Sequence, residues 1–336
     1  MLYYYIVIYY ISKLIIMSQQ IVTRNWALYN MAQTKEKLLF LRILNDAVDS
    51  MEIPYEYKGN GRPQIGLDDM LKCCVIKVFN NFSSRRTMAE LQLAYALRYI
   101  NQVPHFNSIN NYMQKEELTP YLHQLYKIMA LPLVDIENNF AVDATGFSTF
   151  TKKNWLEYRL EHKAYMDFKK LHIISGIRTN IITSAKVTVG KSADCPEFEN
   201  LVKYTSENFR IREVCADAGY LSRKNCEVVA EVGGSPFILL RSNTRMQSIQ
   251  KRRSGIAWKK MVLYYRENHE LFLKHYHQRS NVESTFSMIK RKFLPYVRSK
   301  TDTAQNNEVL CKVVCHNASV LCNAMFEMDV NIEFDS

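Results

Sequence analysis

The apolar period of this chain changes once, near Asn138, and no other feature constrains its fold more. Before that point apolar residues recur at helical spacing in LLFLRILNDAVDSM, IGLDDMLKCCVIKVFNNF and TMAELQLAYALRYI. KGNGRP (58–63) breaks the first of these from the second. Ser83-Ser84 are expected to cap the third, with Arg85 and Arg86 at its start, and Pro104 ends an element ahead of a helix capped by Asn107 or Ser108. The region reads as a helical bundle closing on a helix-turn-helix-like pair. Beyond Asn138 the segments FAVDATGF (140–147), KLHIISGI (170–177), IITSAKVTV (181–189), VCADAGYL (214–221) and PFILLRSN (236–243) read as strands. The second and third form a hairpin across a short RTN connection. Amphipathic helices separate the later strands, and two more close the chain. That order predicts an α/β domain, a mixed sheet flanked by helices, preceded by an all-α region.

With 336 residues, 47% of them hydrophobic, the chain can bury a substantial core, which excludes global disorder. Its net charge of +11 fits a nucleic-acid partner. The excess is concentrated: residues 251–300 hold thirteen Lys or Arg against three acids, Glu267, Glu270 and Glu283. A charge run of this kind is also compatible with a plain solvated face. The eight cysteines do not form a disulfide framework, so a reducing, cytoplasmic setting fits best. Cys311, Cys315 and Cys322 share a helix face beside His316, but their spacing is not that of a zinc finger or ribbon, and buried core thiols are the expectation. The opening MLYYYIVIYYISKLII is apolar, is broken by Lys13 and is short for a membrane span. Translation starting at Met17 is one reading of it; a strand or helix packed on the body is the other.

Three acids stand out by context. Asp143 lies in an apolar strand, where a charge is costly unless paired or metal-bound. Asp217 ends another strand, and the Ala-Gly-Tyr after it would let metal and backbone approach closely. Glu283 belongs to the run Tyr276, Arg279, Glu283, Lys290 (Y-x2-R-x3-E-x6-K). On one continuous helix all four would fall within about a 60° arc. Such a face suits a divalent metal on the carboxylate and phosphates on the cations. Taken singly, each acid reads equally well as an ordinary strand-end or helix-surface residue. Together, two strands and a helix can offer oxygen ligands to one or two Mg²⁺ or Mn²⁺ ions. Elsewhere, the polar residues Asn107, Asn110, Asn111, Gln114 and Lys115 could face DNA, or the helix carrying them could be plain scaffold. His275 and His277 suit phosphate contact or the surface, Asp194 suits a helix N-cap or a fourth acid, and Arg241 could face DNA or pair an acid.

These motifs resemble the DDE transposases of prokaryotic insertion sequences, which have a ribonuclease-H-like catalytic core. Asp143 in FAVDATGF matches the first acid, Asp217 in CADAGY the second, and Tyr276, Arg279, Glu283 and Lys290 match all four positions of the third motif. GRPQIGLDDMLKCCVIKVF and VPHFNSINNYM resemble the helical domain ahead of many such cores, and the likeness spans about residues 40–325. The interval from Asp217 to Glu283 is too short for the large β-rich insertion of some relatives, so no role carries over to Trp258. The chain is therefore expected to divide into an apolar extension over 1–17 that need not be translated, a helical, DNA-binding domain over 18–135, a catalytic domain over 136–326 and a tail over 327–336. The resemblance implies that Asp143, Asp217 and Glu283 bind Mg²⁺ or Mn²⁺, as two ions, and are catalytic. DNA contact is expected from Tyr276, Arg279, Lys290, Arg291, Lys292, Ser108 and Asn111. The implied activity is cleavage at element ends and strand transfer into target DNA. The implied partners are double-stranded DNA, as terminal inverted repeats and target, and a second copy of the chain on paired ends, in the cytoplasm with the nucleoid and away from membranes. A metal-dependent nuclease or a domesticated DNA-binding protein are the alternatives.

Overall fold

A computed structural model describes residues 25–54, 64–149, 168–242, 244 and 255–334. The N-terminal extension over 1–17, the KGNGRP break and the basic run Lys251, Arg252 and Arg253 lie outside the described residues.

The first third is helical. Helices α1 (Trp26–Asp49), α2 (Leu67–Phe79), α3 (Met88–Ala96), α4 (Phe106–Met113) and α5 (Leu118–Ile128) precede the sheet. Asn25 caps α1, its side chain accepting the N–H groups of Ala27 and Leu28 at 3.2 and 3.3 Å. Two expected caps are replaced. His105 rather than Asn107 or Ser108 caps α4, its ring nitrogen accepting the Asn107 N–H. The Ser84 hydroxyl donates to Asn110 Oδ1 at 2.6 Å instead of capping α3, which begins four residues later at Met88. A long-range partner has outcompeted the local backbone for a short polar side chain.

The sheet runs β3-β2-β1-β4-β5, built from β1 (Asn139–Thr149), β2 (Phe168–Gly176), β3 (Ile182–Val189), β4 (Glu213–Ala216) and β5 (Ser235–Ile238). β1, β2 and β3 are antiparallel neighbours, while β4 and β5 add on parallel to β1. The short β6 (Tyr296–Val297) pairs the far end of β1, at Ser148 and Thr149. Helices α6 (Phe198–Ser206), α7 (Arg223–Glu231), α8 (Ile256–Glu267), α9 (His269–Tyr276), α10 (Ser280–Phe293) and α11 (Asp302–Glu327) complete the chain. Three antiparallel strands extended by two parallel ones, with helices on the faces, is the ribonuclease-H-like layout that the resemblance implied. The last two strands are shorter than the apolar runs that announced them. β4 stops at Ala216, where the chain winds into a 3-10 turn over Ala218–Tyr220, and β5 stops at Ile238.

Two features lock the layers together. Asn180, in the turn between β2 and β3, sits at φ 65, a left-handed conformation that Asn tolerates better than most residues. Its side-chain oxygen accepts the Thr285 hydroxyl of α10 at 3.1 Å, and its carbonyl bonds His316 Nε2 of α11 at 2.9 Å. The second feature is α11. By length and composition it could cross a membrane, yet most of it is buried inside the protein. It packs on α1, α2 and α5 as well as on the sheet. Asn307 donates to the carbonyls of Met113 and Lys115, and Asn317 donates to those of Tyr126 and Ile182. The core is therefore continuous across the expected boundary at 135/136, because the last helix belongs to both sides of it. Cys311, Cys315 and Cys322 are buried on this helix, and burial pushes their thiols up, that of Cys322 to about 12.

Candidate active site

β1 is buried through Phe140, Ala141 and Val142 and becomes half-buried at Asp143. The alternation of the strand puts Asp143, Thr145 and Phe147 on one face, and α10 lies along β1 there. Asp143 Oδ1 accepts its neighbour's N–H, that of Ala144, at 2.8 Å. Its Oδ2 accepts Arg279 Nη1 at 2.9 Å, and Nη2 of the same guanidinium donates to Glu283 Oε1 at 2.5 Å. One planar fork thus spans the first and third acids. Burial raises the Asp143 carboxyl above the usual range; the Ala144 N–H and Arg279 oppose that, while the charges of Asp217 and Glu283 reinforce it. All three acids therefore share one electrostatic neighbourhood. Burial works against the charge on Arg279, but Asp143, Tyr276 and Glu283 around it hold the guanidinium above its ordinary value.

Asp217 follows β4 directly. Its carboxylate folds back to accept the Gly219 N–H at 2.8 Å and so caps the 3-10 turn. A Cβ on Gly219 would come within 2.9 Å of that carboxylate oxygen, which is why a side chain would crowd the turn. Arg241 secures the same turn, donating to the carbonyls of Ala218 and Gly219 at 2.9 and 3.3 Å. It pairs no acid among the described residues, and its side chain remains exposed.

The third motif is not one helix. Tyr276 ends α9, a 3-10 turn runs through His277–Arg279, and Glu283 and Lys290 lie on α10. The break comes where α9 is pinned to the sheet. His275 Nδ1 meets Glu213 Oε2 at 2.7 Å, the His275 carbonyl accepts the Cys215 thiol at 3.2 Å, and the ring stacks on Phe237. His275 is thus a structural anchor for the motif rather than a phosphate contact, and the Glu213 partner carried no local signal in the sequence. Lys290 reaches the same sheet face, donating to Thr145 Oγ1 at 2.6 Å, and burial lowers its ammonium below the ordinary value.

The remaining expected contacts divide. Arg291 is exposed, Asn111 is exposed and Ser108 is half-buried. Lys292 is a correction. Its Nζ pairs Glu36 on α1 and bonds Ser319 Oγ on α11 at 2.9 Å, over the rings of Phe79 and Phe293. It faces inward because α10 carries it on the side packed against α1 and α11, which helical periodicity alone could not reveal. Asp194 precedes the short 3-10 turn Cys195–Glu197 without a side-chain cap bond. It pairs Lys170 and lies 3.4 Å from His172, which is registered against Ala144 and so stands on the sheet face opposite Asp143.

Among the described residues no three His, Cys, Asp or Glu side chains converge closely enough to form a metal cage. The reason is visible in the bonds above: Arg279 draws Asp143 and Glu283 to itself, and Asp217 turns to its own backbone. The donor set is nevertheless all carboxylate oxygen, from the middle of β1, the residue that follows β4 beside it, and α10 lying along β1. That chemistry fits a hard divalent ion that takes few protein ligands and keeps positions for water and phosphate.

A family model described as the transposase DDE domain matches residues 137–318, more than half of the chain. The chain belongs to the DDE transposase family. A second model, described as a transposase domain, matches residues 28–115, most of the helical region ahead of the sheet. No curated protein matches the transposase. Among solved structures it is similar to the piggyBac transposase synaptic complex with hairpin DNA, determined by cryo-EM. The two share 11% identity over 85% of this chain and 74% of that one, with a TM-score of 0.41. The transposase is thus a DNA-cleaving, strand-transferring enzyme, of a family that acts on DNA and depends on divalent metal.

Proposed function

We propose that Asp143, Asp217 and Glu283 hold two Mg²⁺ or Mn²⁺ ions and that the transposase cuts at the ends of its element and joins the freed 3′-OH to target DNA. The observation that carries this reading is the meeting of strand-borne Asp143 and helix-borne Glu283 on Arg279, at 2.9 and 2.5 Å, beside the end of β4 where Asp217 stands. Ions of this kind, when bound, activate the attacking oxygen and stabilise the leaving one in an in-line displacement. The three carboxylates would hold those ions beside the place where the scissile phosphodiester enters.

Arg279 neutralises charge at the same point. With Asp143 and Glu283 engaged elsewhere, its fork is free for a phosphate oxygen, and the Tyr276 hydroxyl beside it fixes the orientation. Lys290, held at Thr145, grips the strand next to the cut. Arg291, Ser108 and Asn111 contact the flanking duplex, and two copies of the chain act on paired terminal repeats and on the target. A cytoplasmic setting with the nucleoid is the one in which DNA and reduced thiols are both at hand.

The test is incubation with labelled DNA from the borders of the element, in Mg²⁺ or Mn²⁺, with mapping of nicks and joined products. Asp143→Ala, Asp217→Ala and Glu283→Ala are each expected to abolish cleavage and spare DNA binding. Cleavage surviving in any one of them refutes the assignment of that acid.

A further inference from the structure

A cleft of about 360 Å³ opens where the helical region meets the segment after β6. Lys77 of α2, Asn110 of α4, Gln114 at its C-cap, and Arg298, Lys300 and Thr301 line it. Three of those side chains are cationic, and among the described residues that line the cleft none is acidic. Glu308, which lines a small adjoining cavity with Lys77 and Arg298, accepts the backbone N–H groups of Arg298 and Ser299 at 2.8–3.0 Å. It fixes the wall and is not itself among the residues that line the cleft. Arg298 Nη1 is anchored on the Asn81 carbonyl at 2.6 Å, and Lys77 Nζ on Asn110 Oδ1 at 3.2 Å. These are neutral partners, and neither cation takes part in a side-chain ion pair among the described residues. Lys300 is exposed and makes no ion pair among the described residues.

The place of the cleft relative to the acids gives it a use. Asp143 and Ser148 lie five residues apart on β1, and Ser148 is registered against Tyr296 of β6, two residues before Arg298. β6 is parallel to β1, so Arg298 stands about seven strand residues beyond Asp143; at roughly 3.3 Å per residue this separates cleft and acids by about 23 Å, or some seven base pairs at 3.4 Å per step. Lys290, bonded to Thr145, stands between the two. Cations thus follow β1 from the acids to a cleft whose other wall is α4, where Asn107 and Asn111 are exposed.

We propose that this cleft seats a backbone phosphate of the duplex flanking the cut, with Lys77, Arg298 and Lys300 as its ligands. The assignment rests on the reading of the chain as a transposase acting at a DNA end. It makes the cleft the joint between duplex held by α4 and the strand presented to Asp143, fixing the register between them. Charge carries affinity here without reading sequence.

The experiment uses the full chain carrying Asp143→Asn, in chelator, with a fluorescent duplex taken from the border of the element. Lys77→Gln and Lys300→Gln together should remove that one phosphate contact and lower the slope of log affinity against log salt by about 1, and the exposed Lys300→Gln alone by a measurable part of that. Lys203→Gln on α6, on the side of the molecule packed against β2 and β3, should leave the slope unchanged. Phosphate-ethylation interference should show one site some seven base pairs from the cut that the double variant loses. An unchanged slope in both cleft variants, an equal fall in Lys203→Gln, or an unaltered interference pattern overturns the proposal. Because binding is read without metal or cleavage, these results stand whether or not the three acids prove catalytic.

Discussion

Arg279 holds Asp143 and Glu283 on a single guanidinium, joining a strand residue and a helix residue that are 136 and 4 positions from it in sequence. The Asp143 arm carries most of the energy, since both of its side chains are only 20% exposed whereas Glu283 is 57% exposed. In chelator, Arg279→Ala should cost about 1–2 kcal/mol, because two carboxylates are left facing one another without a counter-charge. Added Mn²⁺ should then stabilise the variant more than the parent. Urea melts with and without Mn²⁺ measure both effects, and a variant as stable as its parent in chelator would sink the idea. Arg279→Lys should fall between them, as it keeps the charge but not the fork.

Asp217 has two tasks that substitution can separate. It caps the turn at Gly219 and, in the proposed mechanism, holds metal. Asp217→Asn retains a capping oxygen and should melt like the parent while failing to cut DNA. Asp217→Ala should fail to cut and also lose about 1 kcal/mol of stability. Equal melts for the two variants would show that the cap contributes nothing.

Lys290 and Lys292 are two residues apart and should behave oppositely. Lys290→Ala should weaken DNA binding and lower the salt slope by about 1. Lys292→Met should leave the slope unchanged but destabilise the fold by about 2–3 kcal/mol, because Glu36, with its side chain only 13% exposed, loses its partner. Denaturation and binding titrations on both variants decide the matter; a shallower salt slope in Lys292→Met would contradict the inward placement.

His316 gives the transposase a stability that depends on pH. Burial lowers its pKa from 6.5 to about 4, against the bond to the Asn180 carbonyl, which favours the proton, and with help from Lys292. A depressed histidine binds its proton in the unfolded chain first. Its contribution is therefore fully present above about pH 6.5 and is lost as pH falls toward 4, by on the order of 3 kcal/mol. Burial also holds His123 near 4, and it adds in the same direction. His316→Gln should flatten stability against pH between about pH 7 and about pH 4.5; an unchanged slope would show that the imidazole is not buried neutral.

Much of the site could be read from the chain because it violates local pattern. A carboxylate inside an apolar strand, another at a strand end before Ala-Gly, and a fixed Tyr-Arg-Glu-Lys spacing are each visible without a fold. The order of strands followed from apolar period, and the hairpin from its short connection. What escaped was partner choice across long separations. Periodicity placed Arg279 beside Glu283 but could not show that β1 would bring Asp143 to its other nitrogen. The same limit hid the inward turn of Lys292, the anchoring of His275 by Glu213, and the seizure of Ser84 by Asn110. Strand length was overread at β5, since an apolar run such as PFILLRSN does not reveal that pairing with β4 stops at Ile238.

Asn180 has a mechanical consequence. Its side chain is bonded to the helix that bears Glu283, and its carbonyl to the helix that threads the amino-terminal bundle. One left-handed residue thus gears two long levers to each other. The hairpin turn thereby fixes where the helix bearing Glu283 lies against the helix that both parts of the core share.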